Sequence, residues 1–297
     1  MSEPLIVVIG DVINDLIVRP RGPTAFGTDT PSQIDKSPGG SGANQAAWLA
    51  ALHAPVRFVG RAGASDASYH RGRLQSLGVD ALIVPDPRLD TGTIVVMVSP
   101  DGERSMFTDR GANGALCAAD LPVSVLEHAA LLHLSGYQLF ESESRSAVLE
   151  LCSLAAAAGI ATSVDPASAA GLTQVGGEQF LHWTTGAKFA FPNLDEGRLL
   201  TGRDDPEEIA TALLEVYGVV ALKLGPSGAL VAARDKGLLR LEAQPSPILD
   251  STGAGDAFCA GFLAAWLKGA DLDSCALGAV EAAARAVGQV GARPRTA

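Results

Sequence analysis

The chain has 297 residues, of which 47% are hydrophobic and 19% charged, and its formal net charge is −11. This composition is typical of a globular protein with one large or two small domains, and the acidic balance excludes a basic surface for nucleic acid or an anionic membrane. The apolar runs are too short for a membrane span, and four widely spaced cysteines without a secretory leader predict a cytoplasmic protein with reduced thiols.

Short apolar runs that suit buried strands alternate along the chain with segments of helical composition. Strands are predicted at 5–9, 56–60, 131–134, 160–164, 189–192 and 219–224. Helices are predicted at 43–52, 143–158, 206–217, 256–267 and 274–287. This alternation predicts an α/β domain with a largely parallel sheet.

Polar residues follow three of the predicted strands directly. Asp11, Asp165 and Asn193 each lie just after a strand. Because ligands of parallel sheets bind beyond the carboxyl ends of the strands, we expect these side chains to gather at one edge.

Two segments depart from the strand–helix alternation. Residues 16–38 contain several prolines and glycines, and residues 91–108 alternate as two strands joined by Pro100-Asp101-Gly102. Together they predict a small antiparallel sheet that projects from the main domain. It is either a surface hairpin without a role or a lid over the strand ends.

The segment Asp250-Ser251-Thr252-Gly253-Ala254-Gly255-Asp256 predicts a sharp turn into a helix that begins near Asp256. Free N–H groups in the turn, with the positive end of the helix dipole, would form an anion site. A carboxylate there suits a base beside a bound phosphate. The alternative is that Asp256 only caps a buried helix.

A second glycine cluster, residues 38–47, includes Asn44, whose amide offers a donor and an acceptor to hydroxyl groups. The alternative is a turn that caps a helix starting near Ala43.

A further motif is the pair Asn193 and Glu196, which lie three residues apart at the start of a helix. There they would face the same way and orient water around Mg²⁺. Acidic residues at this place equally suit a first helical turn.

In this order, the motifs resemble those of the ribokinase-like, or PfkB, carbohydrate kinases over nearly the whole chain. The resemblance is carried by residues 39–46 (first signature), 193–196 (Asn-x-x-Glu motif), 223–229 (nucleotide-side loop) and 250–258 (second signature). It implies an ATP-dependent kinase that phosphorylates an alcohol group of a sugar or nucleoside. It also implies one kinase domain over 1–297, with a Rossmann-like, largely parallel sheet flanked by helices and a small antiparallel β lid at about 16–38 and 91–108.

The resemblance also implies roles for single residues. The general base would be Asp256, and the anion hole would be formed by the N–H groups of Gly253, Ala254 and Gly255. The sugar would be bound by Asp15, Asn14, Gly40, Ser41 and Asn44, with Arg110 as a further candidate. The nucleotide would be bound by Asn193, Glu196, Lys223, Gly225, Gly228 and Thr252. Glu196 would hold Mg²⁺ through water, and Asp250 lies where many members bind a monovalent cation such as K⁺.

Some positions depart from the ribokinase pattern and leave the acceptor open. Ser41 stands where ribokinases carry lysine. The segment His133-Leu134-Ser135-Gly136 resembles 2-keto-3-deoxygluconate kinases, which use an arginine to bind a substrate carboxylate. By this resemblance, Arg110 would face the carboxylate of a sugar acid. The other interpretation of Arg110 is a solvated hairpin charge. The leading prediction is a ribokinase-like sugar kinase. A sugar-acid kinase, a nucleoside kinase and a non-catalytic sugar or nucleotide sensor are the alternatives, and homodimerisation through the apolar lid stays open.

Overall fold

The computed structural model of the chain describes residues 3–25, 27–98 and 104–295. Its strands are Leu5–Ile9 (β1), Ile13–Pro20 (β2), Ser32–Gly39 (β3), Val56–Gly63 (β4), Asp80–Asp86 (β5), Thr91–Val98 (β6), Arg104–Gly111 (β7), Ala129–Ser135 (β8), Ala161–Asp165 (β9), Phe189–Ala190 (β10), Val219–Lys223 (β11), Ala229–Ala233 (β12) and Gly237–Leu241 (β13). Its α-helices are Ser41–Ala51 (α1), Ala67–Gln75 (α2), Ser142–Ala157 (α3), Ala169–Val175 (α4), Gly177–Thr184 (α5), Leu194–Thr201 (α6), Pro206–Leu213 (α7), Ala254–Leu267 (α8) and Leu272–Val287 (α9).

The large sheet has the strand order β13-β12-β11-β10-β9-β8-β1-β4-β5. From β11 to β5 every neighbouring pair is parallel, and only the pairs formed by β12 are antiparallel. The prediction of a largely parallel sheet is therefore confirmed.

Each face of this sheet is covered by helices, and β1 shows how one short run supplies both cores. Ile6 and Val8 pack into the core beneath α1, α2, α8 and α9, whereas Val7 and Ile9 pack into the core beneath α3 to α7. Since side chains alternate between the two faces of a strand, a continuous apolar run is what a strand covered on both sides requires.

The small projecting sheet has the order β3-β2-β6-β7. The pairs β2–β3 and β6–β7 are antiparallel, as predicted, while β2 and β6 meet in parallel at the centre. Its strands begin at Ile13 and end at Gly111, somewhat wider than the predicted segments. The predicted Pro100-Asp101-Gly102 turn lies outside the described residues.

Several elements had no sequence signal strong enough to predict them. Of the nine residues of α2, only Ala67, His70 and Leu74 are buried, so the helix lacks an apolar stripe and depends on packing against β5. The predicted helix at 206–217 ends at Leu213. No helix within the described ranges is long and apolar enough to cross a membrane.

Candidate active site

The polar residues predicted to gather do so at the carboxyl edge of the large sheet. Strand β1 lies between β8 and β4: the sheet continues on one side of β1 with β4 and β5 and on the other side with β8 and the later strands. This change of direction opens a crevice at the carboxyl end of β1, next to Asp11. Lys223, at the end of β11, hydrogen-bonds Asp165 at the end of β9 and pairs with the backbone of Asn193. The strand order thus brings together residues far apart in the chain.

The turn before α8 depends on the glycine at position 253. Gly253 has φ 78°, a left-handed conformation, and a Cβ there would lie 2.5 Å from the carbonyl oxygen of Ala292. Helix α8 therefore begins at Ala254, two residues earlier than predicted. The Ala254 N–H donates to the Ser251 carbonyl oxygen at 3.3 Å.

The first turn of α8 keeps the properties of an anion site. Within the described residues, the backbone N–H groups of Gly253, Gly255 and Asp256 have no hydrogen-bond acceptor. Such donors, at the positive end of a 14-residue helix, attract negative charge. The N–H of Ala254 was also predicted to face a phosphate, but it donates to the Ser251 carbonyl oxygen instead.

Asp256 lies in this first turn and is held by two residues of α1. Its Oδ1 accepts a hydrogen bond from the Ser41 hydroxyl at 2.7 Å, and its Oδ2 accepts one from the Asn44 amide at 3.0 Å. Burial, aided by the negative charges of Asp165 and Asp11, raises the pKa of Asp256 to about 7 in spite of these hydrogen bonds. A carboxyl group with a pKa near neutrality suits proton transfer.

A buried polar cluster lies beside Asp256. The Asn44 oxygen accepts a hydrogen bond from Arg293 Nε at 3.1 Å, and Arg293 Nη2 donates to the Gly39 carbonyl oxygen at 2.8 Å. The carboxylate of Asp15 lies against Gly39, so closely that a side chain at position 39 would collide with it. Burial raises the pKa of Asp15 to about 6, with Asp11 adding to the rise and Arg293 opposing it.

Arg110 is neither solvated nor without a partner. Its Nη1 lies 3.3 Å from Asp11 Oδ2, and its guanidinium stacks 4.4 Å from the centre of the Tyr137 ring. Only 20% of the side chain is exposed, so the interpretation of Arg110 as a solvated hairpin charge is wrong. Asp11 also accepts a hydrogen bond from the Gly42 N–H at 3.0 Å.

Lys223 forms a buried ion pair behind the anion site. Its ammonium lies 3.0 Å from Asp165 Oδ1, and Asp165 Oδ2 accepts a hydrogen bond from Gln45 at 2.9 Å. The carboxylates of Asp165 and Glu196 raise the pKa of Lys223, so this residue stays positively charged. Its ammonium also lies 3.5 Å from where a Cβ of Gly255 would be.

On the far side of α8 lies a largely apolar cavity of 410 Å³. It is bounded by the loop after β11, by residues 243–248 and by α8 and α9, and its lining includes Lys223, Gly225, Gly228 and Gly255. This volume lies within the range of small-molecule sites. Ala254 and Gly255 line the cavity, and Asp256 follows them directly, so the cavity and the polar cluster meet at the first turn of α8.

Comparison with known proteins identifies this arrangement. Residues 3–296 match the sequence model of the pfkB family carbohydrate kinases. The chain belongs to this family. The kinase is 30% identical to the ribokinase of Bacillus subtilis over 298 residues, which cover 97% of this chain and 94% of that protein.

Solved structures show the same fold. An Arabidopsis thaliana ribokinase complexed with ribose and ATP is 26% identical to the kinase, with a TM-score of 0.80 over 98% of this chain and 95% of the other. The adenosine kinase of Sinorhizobium meliloti is 24% identical, with a TM-score of 0.89 over 99% and 97% of the two chains. The prediction of a ribokinase-like α/β fold is confirmed.

Asn14, predicted to bind sugar, contacts residues at the start of α2. Its amide donates to Asp66 Oδ2 at 2.8 Å, and its oxygen lies 3.2 Å from His70 Nε2. Both ends of the amide are thus engaged in joining β2 to α2. Sugar binding by Asn14 stays a prediction.

The Asn-x-x-Glu motif of the kinase forms a helix cap. Asn193 Oδ1 accepts from the Glu196 N–H at 2.9 Å, and Glu196 Oε2 accepts from the Asn193 N–H at 2.8 Å. Burial raises the pKa of Glu196 to about 7, with Lys223 opposing the rise. Within the described residues no group of three acidic, His or Cys side chains could hold a metal ion. One carboxylate fits Mg²⁺ that is otherwise ligated by phosphate and water, but not a metal bound by protein alone.

Asp250 ties the turn to the C-terminal tail. Its Oδ1 accepts from the hydroxyl and N–H of Thr252, at 2.6 and 3.0 Å, and its Oδ2 accepts from the Gly291 N–H at 3.1 Å. Thr252 thereby acts on the shape of the turn. The contacts of Gln45 and Arg293 could not be predicted from sequence motifs, because they depend on which strands and tail segments are neighbours.

Proposed function

We propose that this kinase transfers the γ-phosphate of ATP to a hydroxyl group of a neutral sugar, with Asp256 as the general base. The observation that carries the proposal is the position of Asp256. It lies in the first turn of α8, between free backbone donors suited to phosphate and a polar cluster suited to hydroxyl groups. A binding protein without catalysis has no need of a carboxyl group with a pKa near 7 at this point.

Phosphoryl transfer requires the protein to position the reactants and stabilise charge, with little covalent chemistry of its own. The acceptor hydroxyl gives its proton to the Asp256 carboxylate as its oxygen forms a bond to the γ-phosphorus, and the bond from that phosphorus to the ADP oxygen breaks. The N–H groups of Gly253 and Gly255 and the Lys223 ammonium stabilise the charge on the transferred group. Ser41 and Asn44 hold the carboxylate in place.

The apolar cavity supports a nucleotide as the phosphate donor. A planar base would lie between the glycine loop, Gly225 to Gly228, and α8, with its phosphates directed to the Gly255 turn. Glu196 would hold Mg²⁺ through water, and the ion would neutralise phosphate charge. A monovalent cation next to Asp250 stays a prediction, because that carboxylate already joins the turn to the tail.

The small sheet is proposed as a lid over the acceptor cluster. Asp15 lies on β2, and Arg110 lies on β7 against Asp11 at the end of β1. Met106 and Phe107, also on β7, are each 60% exposed, which fits either a second copy of the chain or closure over substrate. Homodimerisation through this sheet stays a prediction.

The proposal is tested by ADP release from Mg-ATP across a panel of pentoses, hexoses, keto-deoxy sugar acids and nucleosides. A neutral sugar as the best acceptor supports it. A sugar acid or nucleoside as the best acceptor would correct the substrate class and leave phosphoryl transfer standing. Tight sugar or nucleotide binding without any turnover would favour the sensor.

The pH dependence of the kinase should report Asp256. Because only the ionised carboxylate accepts a proton, we expect kcat/KM to fall about tenfold per unit below a pKa near 7 and to reach a plateau above it. Glu196 also has a pKa near 7, so the Glu196→Gln variant serves as the control. If the fall of kcat/KM at low pH disappears in the Glu196→Gln variant, the titrating group is Glu196 instead of Asp256.

Arg110 should not decide between neutral and acidic acceptors, because Asp11 already balances its charge. We expect the ratio of kcat/KM for a sugar acid to that for a neutral sugar to change less than about threefold in the Arg110→Met variant. The ratio cancels any general effect of leaving Asp11 without its partner. A loss of about 100-fold confined to the sugar acid would show that Arg110 binds a substrate carboxylate.

A further inference from the structure

The C-terminal tail after α9 is held by helix α1 and by the second signature motif of the kinase. The Gly291 N–H donates to Asp250 at 3.1 Å, and the Ala292 carbonyl oxygen accepts from the Trp48 indole N–H at 2.9 Å. Gly253 packs so closely on Ala292 that no side chain fits between them. The backbone of the tail is therefore held beside the turn that carries Asp256.

From this anchored backbone, the Arg293 side chain reaches the acceptor cluster. Its Nε donates to Asn44 Oδ1 at 3.1 Å, and its Nη2 donates to the Gly39 carbonyl oxygen at 2.8 Å. Burial lowers the pKa of Arg293 to about 10, with Asp15 opposing the fall, so the guanidinium is still charged at neutral pH. Its Nη1 is shielded from solvent and has no hydrogen-bond partner within the described residues.

The contact with Arg293 favours one orientation of the Asn44 amide. With its oxygen toward Arg293, the amide presents its NH₂ group to Asp256 Oδ2 at 3.0 Å. In the opposite orientation, the NH₂ would face the guanidinium and the oxygen would face the carboxylate, so both neighbours would be mismatched. Because the guanidinium of Arg293 can only donate, it holds the oxygen of the Asn44 amide on its own side. The NH₂ group of the amide then faces Asp256.

We propose that Arg293 is a positioning residue, which orients the Asn44 amide so that it donates a hydrogen bond to the general base, Asp256. This inference rests on the proposed function of Asp256. Arginine suits the task because its planar guanidinium contacts Asn44 and Gly39 together, whereas the lysine ammonium is a single point of charge on a flexible stem.

The variant Arg293→Lys separates orientation from charge. Among the described residues, the titratable groups that act on Asp256 include Asp11, Asp165, Tyr137 and Cys259. Those that act on Arg293 include Asp15, Asp11, Arg73, Tyr69 and His70. Lysine keeps the positive charge among them. The neighbouring exposed residue gives a matched control, Arg295→Lys.

The first test is a ¹³C NMR titration of the Asp256 carboxyl group, which needs no turnover. A lysine ammonium cannot reproduce the planar contact with Asn44 and Gly39 together, so it holds the amide less firmly. The amide oxygen can then turn to Asp256, which disfavours the ionised form. We expect the pKa of Asp256 to rise by about half a unit to one unit in Arg293→Lys and to stay unchanged in Arg295→Lys. An unchanged pKa in Arg293→Lys overturns the proposal.

The second test is a double-mutant cycle on kcat, with thermal unfolding to confirm that each variant is folded. We expect Arg293→Lys to lower kcat about tenfold with the acceptor KM within about threefold, and to have less than about twofold effect when Asn44 is already alanine. Additive effects, or an effect on KM alone, overturn the proposal. Absence of kinase activity in the wild-type chain would instead refute the proposed function, while the titration still decides the role of Arg293.

Discussion

Replacing Asp256 with asparagine is expected to lower kcat by about 10²- to 10⁴-fold, because the acceptor hydroxyl then has no base to receive its proton. The donors of the α8 turn and the Lys223 ammonium remain. Affinity for the acceptor sugar and for ATP should therefore stay within about threefold of the wild type. The loss belongs to the chemical step.

The asparagine should fit the site without leaving a polar group unpaired. Its oxygen can accept from Asn44, and its NH₂ can donate to the Ser41 hydroxyl, which also serves as an acceptor. The folded-state pKa of Asp256 is raised, so the stability linked to this group is present at low pH and is lost as the pH rises through about 7. Above that pH, we expect the variant to unfold no earlier than the wild type.

The measurement combines ADP release with calorimetric binding of the best acceptor. The exposed Asp273, also in the first turn of a helix, gives the matched control Asp273→Asn, which should retain wild-type kcat. Full activity of the Asp256 variant would refute its role as the base. Loss of sugar binding together with activity would make Asp256 a binding residue instead.

The alternation of buried runs and helices predicted most of the large sheet, because a strand covered on both faces needs a continuous apolar run. The run 5–9 coincides with β1, and both halves of the projecting sheet were found. The hairpin of β12 and β13 was missed. Its second strand is largely exposed, so it lacks the apolar run by which the others were identified.

At the site, the motifs predicted what local backbone geometry determines. A glycine turn followed by an apolar helix indicates where free N–H groups will lie. Among the described residues, those of Gly253 and Gly255 have no acceptor, whereas the N–H of Ala254, which was also predicted to be free, donates to Ser251. The motifs could not show which distant side chains complete the site. Arg293 meets Asn44 across 249 positions of sequence, and Lys223 meets Asp165 across 58. Such contacts follow from strand order and the course of the tail.

The same limit applies to Asn193 and Glu196. Their spacing predicted that both would face one point, and in the structure they bind each other's backbone as a helix cap. The capping role and the proposed metal role use different features of Glu196: one oxygen closes the cap, and burial raises the pKa of the carboxyl group, with Lys223 opposing the rise. A cation carried by the nucleotide would add positive charge beside this carboxyl group and favour its ionised form.

The Lys223→Met variant is expected to lose about 3–5 kcal/mol of unfolding free energy, because Asp165 would be left as a buried carboxylate without its cation. Side-chain exposure in this pair is 14% for Lys223 and 4% for Asp165, so solvent cannot replace the lost partner. Urea unfolding measures the effect. The exposed Arg198–Asp195 pair is the matched control, since Arg198→Met should cost less than about 1 kcal/mol.

Combining Lys223→Met with Asp165→Asn should restore most of the lost stability, because a neutral amide and an apolar side chain replace the ion pair. Activity should not return with it, since the proposed function assigns the Lys223 ammonium to the transferred phosphate beside Gly255. A double variant that regains both stability and kcat would show that Lys223 only neutralises Asp165. A double variant as unstable as Lys223→Met would show that the buried charge of Asp165 is not the cause of the loss.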